Sequence, residues 1–471
     1  MFTTGNRAEF FVRAFAFSVF ALVLVCGCST IREAREVQAG KRQIDGERTL
    51  KPEDVGLHSG STVTVERLGE IALMHHPSII QASQAVVRAR SAIRITKAGR
   101  WPHISASGGY SRSTSNAGGN NHSEMSGTWS GSLGLDLLIY DFGKLDAADR
   151  QRAEELIAAE QLLRQAQVSV LYSVRSAFFE VHRAAHLLTV AQDNLNQYKI
   201  HLEEAKAMLD VGSCRKYDVT KAEVDYGNAQ LDVITVSNNL ITARATLNKA
   251  IGLADSPGFE IQTSSLPKRQ IDMNAEDLMS VARGNSPSLA VLVARERAAN
   301  AYVDETIADM YPAISAGISA SGSGNHTFPF TFNWSWFTRA TWDIFTGFSR
   351  VESVKTAVSS LRSTRAQVAA AEQELYLEIV SAVTKRDCAR ESSAIAKKTL
   401  VQAKENLEIV NEQFRVGTSS SIERTDAQVL VTQARADVVR TYYDEQIAQA
   451  RIASLIGLTD GPMPESSATK Q

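Results

Sequence analysis

Residues 330–350 (FTFNWSWFTRATWDIFTGFSR) alternate in character. Phe330, Phe332, Trp334, Trp336, Ala340 and Trp342 take even positions, while Thr331, Asn333, Ser335, Arg339, Thr341 and Asp343 take odd ones. Successive side chains of a strand point to opposite faces, so this spacing predicts a long strand with one aromatic and one polar face. Phe337 and Thr338 are the exceptions. A long strand in an ordinary sandwich would also bury tryptophans. The downstream residues argue against a sandwich, because an Ala- and Gln-rich helical pattern runs to about Val416 with no further strand signal. The arrangement also occurs earlier, at residues 128–144 (TWSGSLGLDLLIYDFGK), where Trp129, Gly131, Leu133, Leu135, Leu137 and Ile139 are in phase. A spacing of 205 residues carries Trp129 to Trp334 and keeps the apolar parity. The chain is an internal duplication.

Other landmarks recur in order. His75-His76-Pro77 is echoed by Asn285-Ser286-Pro287, and Trp101-Pro102 by Tyr311-Pro312, each at a spacing of 210. Proline breaks or kinks a helix, so each copy should begin with two helical pieces. The adjacent histidines would point apart on a helix, so they read as a turn rather than a metal site. After each second proline comes a small-residue strand: Ile104, Ala106, Gly108 and Tyr110, then Ile314, Ala316, Ile318 and Ala320. The spacing falls to 205 by Tyr140 and Phe345, making the first hairpin loop, near residues 116–126, five residues longer. Neither strand pair would be stable alone in water.

Long helices come next. Val174, Val181, Leu188, Leu195, Leu202 and Leu209 recur every seven residues, with Ala177, Ala184, Ala191, Tyr198 and Ala205 as a partner row. A sustained heptad pattern predicts coiled-coil packing, here over a helix on the order of 100 Å long. The second copy repeats it with Leu375, Ala382, Ala389, Ala396, Ala403 and Val410, flanked by Ile379, Leu400, Leu407 and Phe414. Arg386 and Ser393 interrupt that second row. Solvent, a lumen or a local change of packing would each account for them. Gly212 and Gly417 sit where the long helices should stop, and Gly252 and Gly457 close the return helices.

Before the repeats, Arg7 and Arg13 precede the apolar run 14–25, too short to span a bilayer and typical of an export signal. Val25-Cys26-Gly27-Cys28 resembles a lipobox with Cys28 as the lipid-bearing residue; a plain signal peptide cut nearby is the alternative. The expected organisation is a signal peptide at 1–27, an extended segment at 28–62, a first repeat at 63–256, a linker at 257–270, a second repeat at 271–458 and a tail at 459–471. Cys214 and Cys388 are too few and too scattered for a disulfide framework or a zinc site. A net charge of −2 argues against a nucleic-acid partner. No phosphate-cradling glycine loop, GxSxG, HExxH or Cys/His nucleophile set is present, so neither an enzyme nor a cofactor is expected.

One chain brings four strands with an apolar face. An open sheet edge is untenable in lipid, so closure requires several chains; two would give eight strands and three would give twelve. Backbone physics does not choose between them. In order and doubled, these motifs resemble the TolC family of outer-membrane efflux and secretion channels, over roughly residues 63–458. The marks are the Pro-Ser helix starts, Tyr140-Asp141-Phe142-Gly143-Lys144, the Val-Gly turns, Ile251-Gly252-Leu253 and Ile456-Gly457-Leu458. The second copy departs at Phe345-Thr346-Gly347-Phe348, where the family tends to place Asp before the glycine.

The resemblance implies a mainly α fold with a membrane β-barrel. Three chains would build a twelve-stranded barrel continued by an α-helical tunnel across the periplasm. It implies the exit duct of a tripartite efflux pump or type I secretion system, a homotrimer partnered by a periplasmic adaptor and an inner-membrane pump or ABC exporter. It also implies adaptor contacts at Val211, Gly212, Ser213, Val416, Gly417 and Thr418, and a periplasmic gate formed by Glu423 and Asp426. The first-copy counterparts of that acidic pair, Asp218 and Lys221, are mixed in charge. Acids in a first helical turn also simply complement the macrodipole. A periplasmic or surface trimeric coiled coil with a structural or adhesive role would suit the heptads, but has no use for the two aromatic-faced hairpins.

Overall fold

The computed structural model describes residues 30–32, 34, 35, 37, 62–115, 124–253, 260–261, 271–325 and 331–458. The signal peptide, Cys28, Phe330, residues 116–123 of the first hairpin loop, most of the linker and the tail from 459 lie outside them. No helix among the described residues is long and apolar enough to cross a membrane.

Each copy opens with two helices meeting at a proline. α1 (Val65–His75) is capped by Thr64, and α2 (Pro77–Ala98) starts with Pro77 in the first turn, where the missing N–H costs nothing. The backbone N–H of Ser78 donates to His76 Nδ1 at 3.2 Å, so the histidine serves the turn. In the second copy α5 (Ala275–Asn285) and α6 (Pro287–Ala308) repeat this. Two short strands, β1 (Thr62–Val63) and β4 (Glu260–Ile261), pair in parallel and bring the starts of the two copies together.

Next come β2 (His103–Ser115) and β3 (Glu124–Tyr140), and in the second copy β5 (Ala313–Asn325) and β6 (Thr331–Thr341). They form one antiparallel sheet in the order β2-β3-β5-β6, joined between copies at β3–β5. The register aligns the faces across all four strands. Ala106, Leu133, Ala320 and Trp334 form one apolar row. Ser105, Gly134, Ser319 and Ser335 form the neighbouring row on the other face.

Two details depart from strict alternation. A bulge lies between Leu138 and Tyr140, so Tyr140 rather than Ile139 stands opposite Ile314. The last strand ends at Thr341, short of the alternation read through Trp342. There the Trp342 indole N–H donates to the Met310 carbonyl at 3.0 Å, drawing the chain off the ladder.

In the first copy strand gives way to helix across three residues, 141–143, and in the second across seven, 342–348. Phe142 and Gly143 both have positive φ, and Gly347 and Phe348 repeat this in reversed order. Asp141 caps the first helix, accepting from the N–H groups of Gly143 (3.2 Å) and Leu145 (2.7 Å). The second helix has no side-chain cap; instead Arg350 bonds Asp343 at 2.9 Å. Exposed aromatics crowd this level, with Phe142 stacked on Tyr311 at 5.4 Å. Lys144 pairs with Asp309, and Arg150 with Asp304.

The long helices are α3 (Lys144–Asp210) and α7 (Ser349–Arg415), 67 residues each and so about 100 Å long. Their return partners, α4 (Lys216–Ile251) and α8 (Ser421–Leu455), have 36 and 35 residues. Each is made up to length by the opening helices. α4 stops at Gly252, where a Cβ would sit 3.3 Å from His76 Cα, and α2 continues alongside α3 from there. Gly457 abuts Asn285 more tightly, since a Cβ there would lie 2.4 Å from its carbonyl oxygen.

The main core lies at this mid-height junction. Leu68 and Ala72 of α1 cover Val174, Phe178 and Val181 of α3, with Leu247 and Ile251 of α4. Burying a side chain such as Phe178 contributes roughly 2–3 kcal/mol. A matching cluster gathers Leu278, Ile379 and Ile452 in the second copy. Arg386 and Ser393 are buried, so a local change of packing explains them. The Arg386 guanidinium donates to the carbonyls of Ile271 (2.5 Å) and Met273 (3.1 Å), fixing the incoming second copy to α7.

Candidate functional site

The far ends of the helical hairpins gather the residues singled out from the sequence. Gly212 (φ 72°) and Gly417 (φ 80°) adopt the left-handed conformation that ends α3 and α7. The Ser213 N–H donates to Met208 O at 2.8 Å, and the Thr418 N–H to Gln413 O at 2.9 Å, the same 6→1 closure at both tips. Val211 and Val416 are 75% and 73% exposed, leaving each tip with an unburied apolar side chain.

Just inside the second tip, Glu423 closes a capping box. Its own N–H donates to Ser420 Oγ at 3.3 Å. Its carboxylate accepts from the Ser419 hydroxyl (2.5 Å) and the Ser420 N–H (3.0 Å). Those bonds, led by Ser419, hold the carboxyl below its usual pKa. Asp426 lies one turn on and is exposed. The acidic pair therefore stands at the surface, with one member also serving the helix start.

The sequence did not reveal how the two hairpins are tied together. Arg424, between the two acids, turns inward. Its guanidinium donates to Glu204 of α3 (2.7 Å) and Asn411 of α7 (3.0 Å), and sits 4.9 Å from the centroid of Phe414. Ser421 donates to Asp218 of α4 at 3.2 Å. Deeper in, Thr432 donates to Asn194 at 2.7 Å. Behind this clasp is a cleft of about 470 Å³ lined by Tyr198, His201, Met208, Tyr217, Phe414 and Arg424. Burial, reinforced by the Arg424 charge, pushes His201 down to about 4. Burial raises Tyr198, with Asp225, Asp232 and Asp426 adding to it.

Cys214, beside the first tip, donates to Ala205 O at 3.3 Å; it and Cys388 are free thiols. Among the described residues no cluster of three His, Cys, Asp or Glu is placed to hold a metal. The arrangement is an end built from paired helices, with a charge clasp and exposed apolar tips.

A sequence profile described as "Outer membrane efflux protein" matches residues 68–253 and 278–458. The cation efflux system protein CusC of Escherichia coli (strain K12) is 22% identical over 83% of this chain and 86% of its own length. The outer membrane protein OprJ of Pseudomonas aeruginosa is 22% identical over 77% of this chain and 78% of its own. In fold, the chain resembles the Campylobacter jejuni CmeC outer membrane channel, with a TM-score of 0.74 at 15% identity, covering 83% of this chain and 85% of that one. The open state of the Neisseria gonorrhoeae MtrE outer membrane channel gives 0.71 at 18% identity, covering 83% and 88%.

Proposed function

Because the chain belongs to the outer membrane efflux protein family, we propose that it acts as a homotrimeric exit duct for a tripartite pump. The family consists of conduits rather than enzymes, and the protein resides in the outer membrane and extends into the periplasm. The observation that carries the reading is the four-stranded sheet with one apolar face, one serine-rich face and two unpaired edges, β2 and β6. Unpaired edges cannot persist in lipid, so the sheet must close against other copies. Eight strands leave a bore that side chains fill, whereas twelve leave room for passage. The apolar rows then face lipid and the serine rows face water. The aromatics where strand meets helix mark the periplasmic membrane interface.

In this reading the helices continue the bore into the periplasm. The exposed tips at Val211, Gly212, Ser213, Val416, Gly417 and Thr418 meet a periplasmic adaptor, which links the duct to an inner-membrane pump or ABC exporter. Three copies of Glu423 and Asp426 ring the aperture as a gate that attracts cations. Cys28 carries a lipid anchor; SilC of Salmonella typhimurium, 20% identical, is described as a probable outer membrane lipoprotein. Relatives of similar identity are described as serving cation efflux and antibiotic efflux, so the main class of cargo is set by the pump.

Native mass measurement of the detergent-extracted protein should give three chains per particle; a lone chain overturns the reading. The gate is tested by Glu423→Gln with Asp426→Asn, since Gln preserves the capping box. Single-channel conductance should rise and cation preference should fall. Unchanged conductance rejects the gate assignment.

A further inference from the structure

Phe337 is the aromatic residue that breaks the polar face of the last strand. In register, His103, Asp136, Gly317 and Phe337 form one row across the sheet, on the same face as the serine row next to it. Phe337 alone is partly buried along β6, whose other residues are exposed. Its ring lies across Gly317, where an added Cβ would come within 2.6 Å of the ring. Covering a glycine with an aromatic ring stiffens a sheet, and that accounts for Phe337. It does not account for Arg339, whose guanidinium sits 4.8 Å from the Phe337 centroid and makes no ion pair among the described residues. A guanidinium with one face on a ring keeps its other face and its N–H fork free for a second ring and an anion.

We propose that Phe337 and Arg339 form a solute-contact platform on the inner wall near the periplasmic end of the barrel, selecting aromatic anions. The proposal rests on the closed trimeric reading, which turns the serine-rich face inward and repeats the platform three times around the bore. Wall side chains occupy a sizeable part of a twelve-stranded lumen, which lies between filled eight-stranded barrels and open sixteen-stranded ones. A solute passing this level therefore meets the platform. The apolar ring edge and the planar cation together match a flat, negatively charged solute. A bare anion gains only the charge, and a neutral ring only the stacking.

The test uses the purified full-length trimer in planar lipid bilayers under a KCl gradient. Current block by 2-naphthalenesulfonate is compared with block by methanesulfonate, which carries the same charge without a ring. The wild type should be blocked more strongly by the aromatic anion, by roughly fivefold, the worth of one exposed cation–π contact. Arg339→Gln should abolish that preference and move the reversal potential toward cations. Arg339→Lys should keep the reversal potential and lose the aromatic preference, because the ammonium lacks the planar face. An Arg339→Gln channel that conducts with unchanged reversal potential and unchanged block overturns the proposal. A wild-type preparation with neither trimers nor conductance instead overturns the conduit reading beneath it.

Discussion

The two hairpin tips share a backbone and differ in chemistry. Both end on a left-handed glycine after an exposed valine, and both close with the same 6→1 hydrogen bond. In the first tip, the position matching Arg424 is Val219, a buried apolar residue. In the second, Arg424 reaches across to Glu204 of the first copy and back to Asn411 and Phe414 of its own. Duplication preserved the hairpin while one copy acquired the clasp that holds the pair together. The two strand-to-helix junctions diverge similarly, with Asp141 capping α3 and Thr346 standing at the matching place before α7.

The contrast can be broken most forcefully at the clasp. Arg424→Met should separate the hairpins near the tip, lowering stability in detergent by about 2 kcal/mol, as loss of a partly buried charged hydrogen bond does. Channel conductance should rise with it, whereas Val219→Ala should leave conductance unchanged. Acid should act on the same cleft through His201. Its pKa is about 4 in the folded chain and near the ordinary 6.5 when unfolded, so the unfolded state takes up the proton first as pH falls. Stability is complete above about pH 7 and is lost progressively toward pH 4, by roughly 1 kcal/mol between pH 7 and 5 once solvent screening at this partly exposed ring has about halved the effect. Thermal melts across that range should show the loss in wild type and a flatter profile in His201→Gln.

The junctions give a sharper, smaller comparison. Asp141→Ala should cost about 1 kcal/mol through the lost helix cap, and Thr346→Ala less than about half of that. Ser421→Ala, which removes one hydrogen bond to Asp218, should cost only about 0.5 kcal/mol. If Arg424→Met costs no more than Ser421→Ala in thermal melts, the second tip does not carry the coupling assigned to it.

The sheet was legible because its signal is local. Trp334 and Ser335 announce opposite faces from adjacent positions, and the same phase recurs at Trp129 and Ser130. The exceptions were not legible, because their causes lie on other strands. Phe337 sits on the polar face because Gly317, twenty residues earlier, leaves space for its ring. Strand β6 stops before Trp342 because Met310 offers that indole a carbonyl. Arg386 reads as a flaw in a heptad seam because its partners, the carbonyls of Ile271 and Met273, lie 115 and 113 positions away. At the tip, the turns and the acidic pair could be picked out by spacing. The Arg424–Glu204 bond joins residues 220 positions apart, and no periodicity encodes a tie of that kind.

The short passage from strand to helix in the first copy has a mechanical consequence. With only Asp141, Phe142 and Gly143 between β3 and α3, two of them left-handed, there is little slack in which a swing of the rod can dissipate, whereas seven residues separate β6 from α7. The 67-residue helix α3 is then a lever pivoted where the first hairpin ends. Over an arm of about 100 Å, tilting by roughly 3° displaces the far end by about 5 Å. A displacement of that size at the periplasmic end asks almost nothing of the strands embedded in lipid.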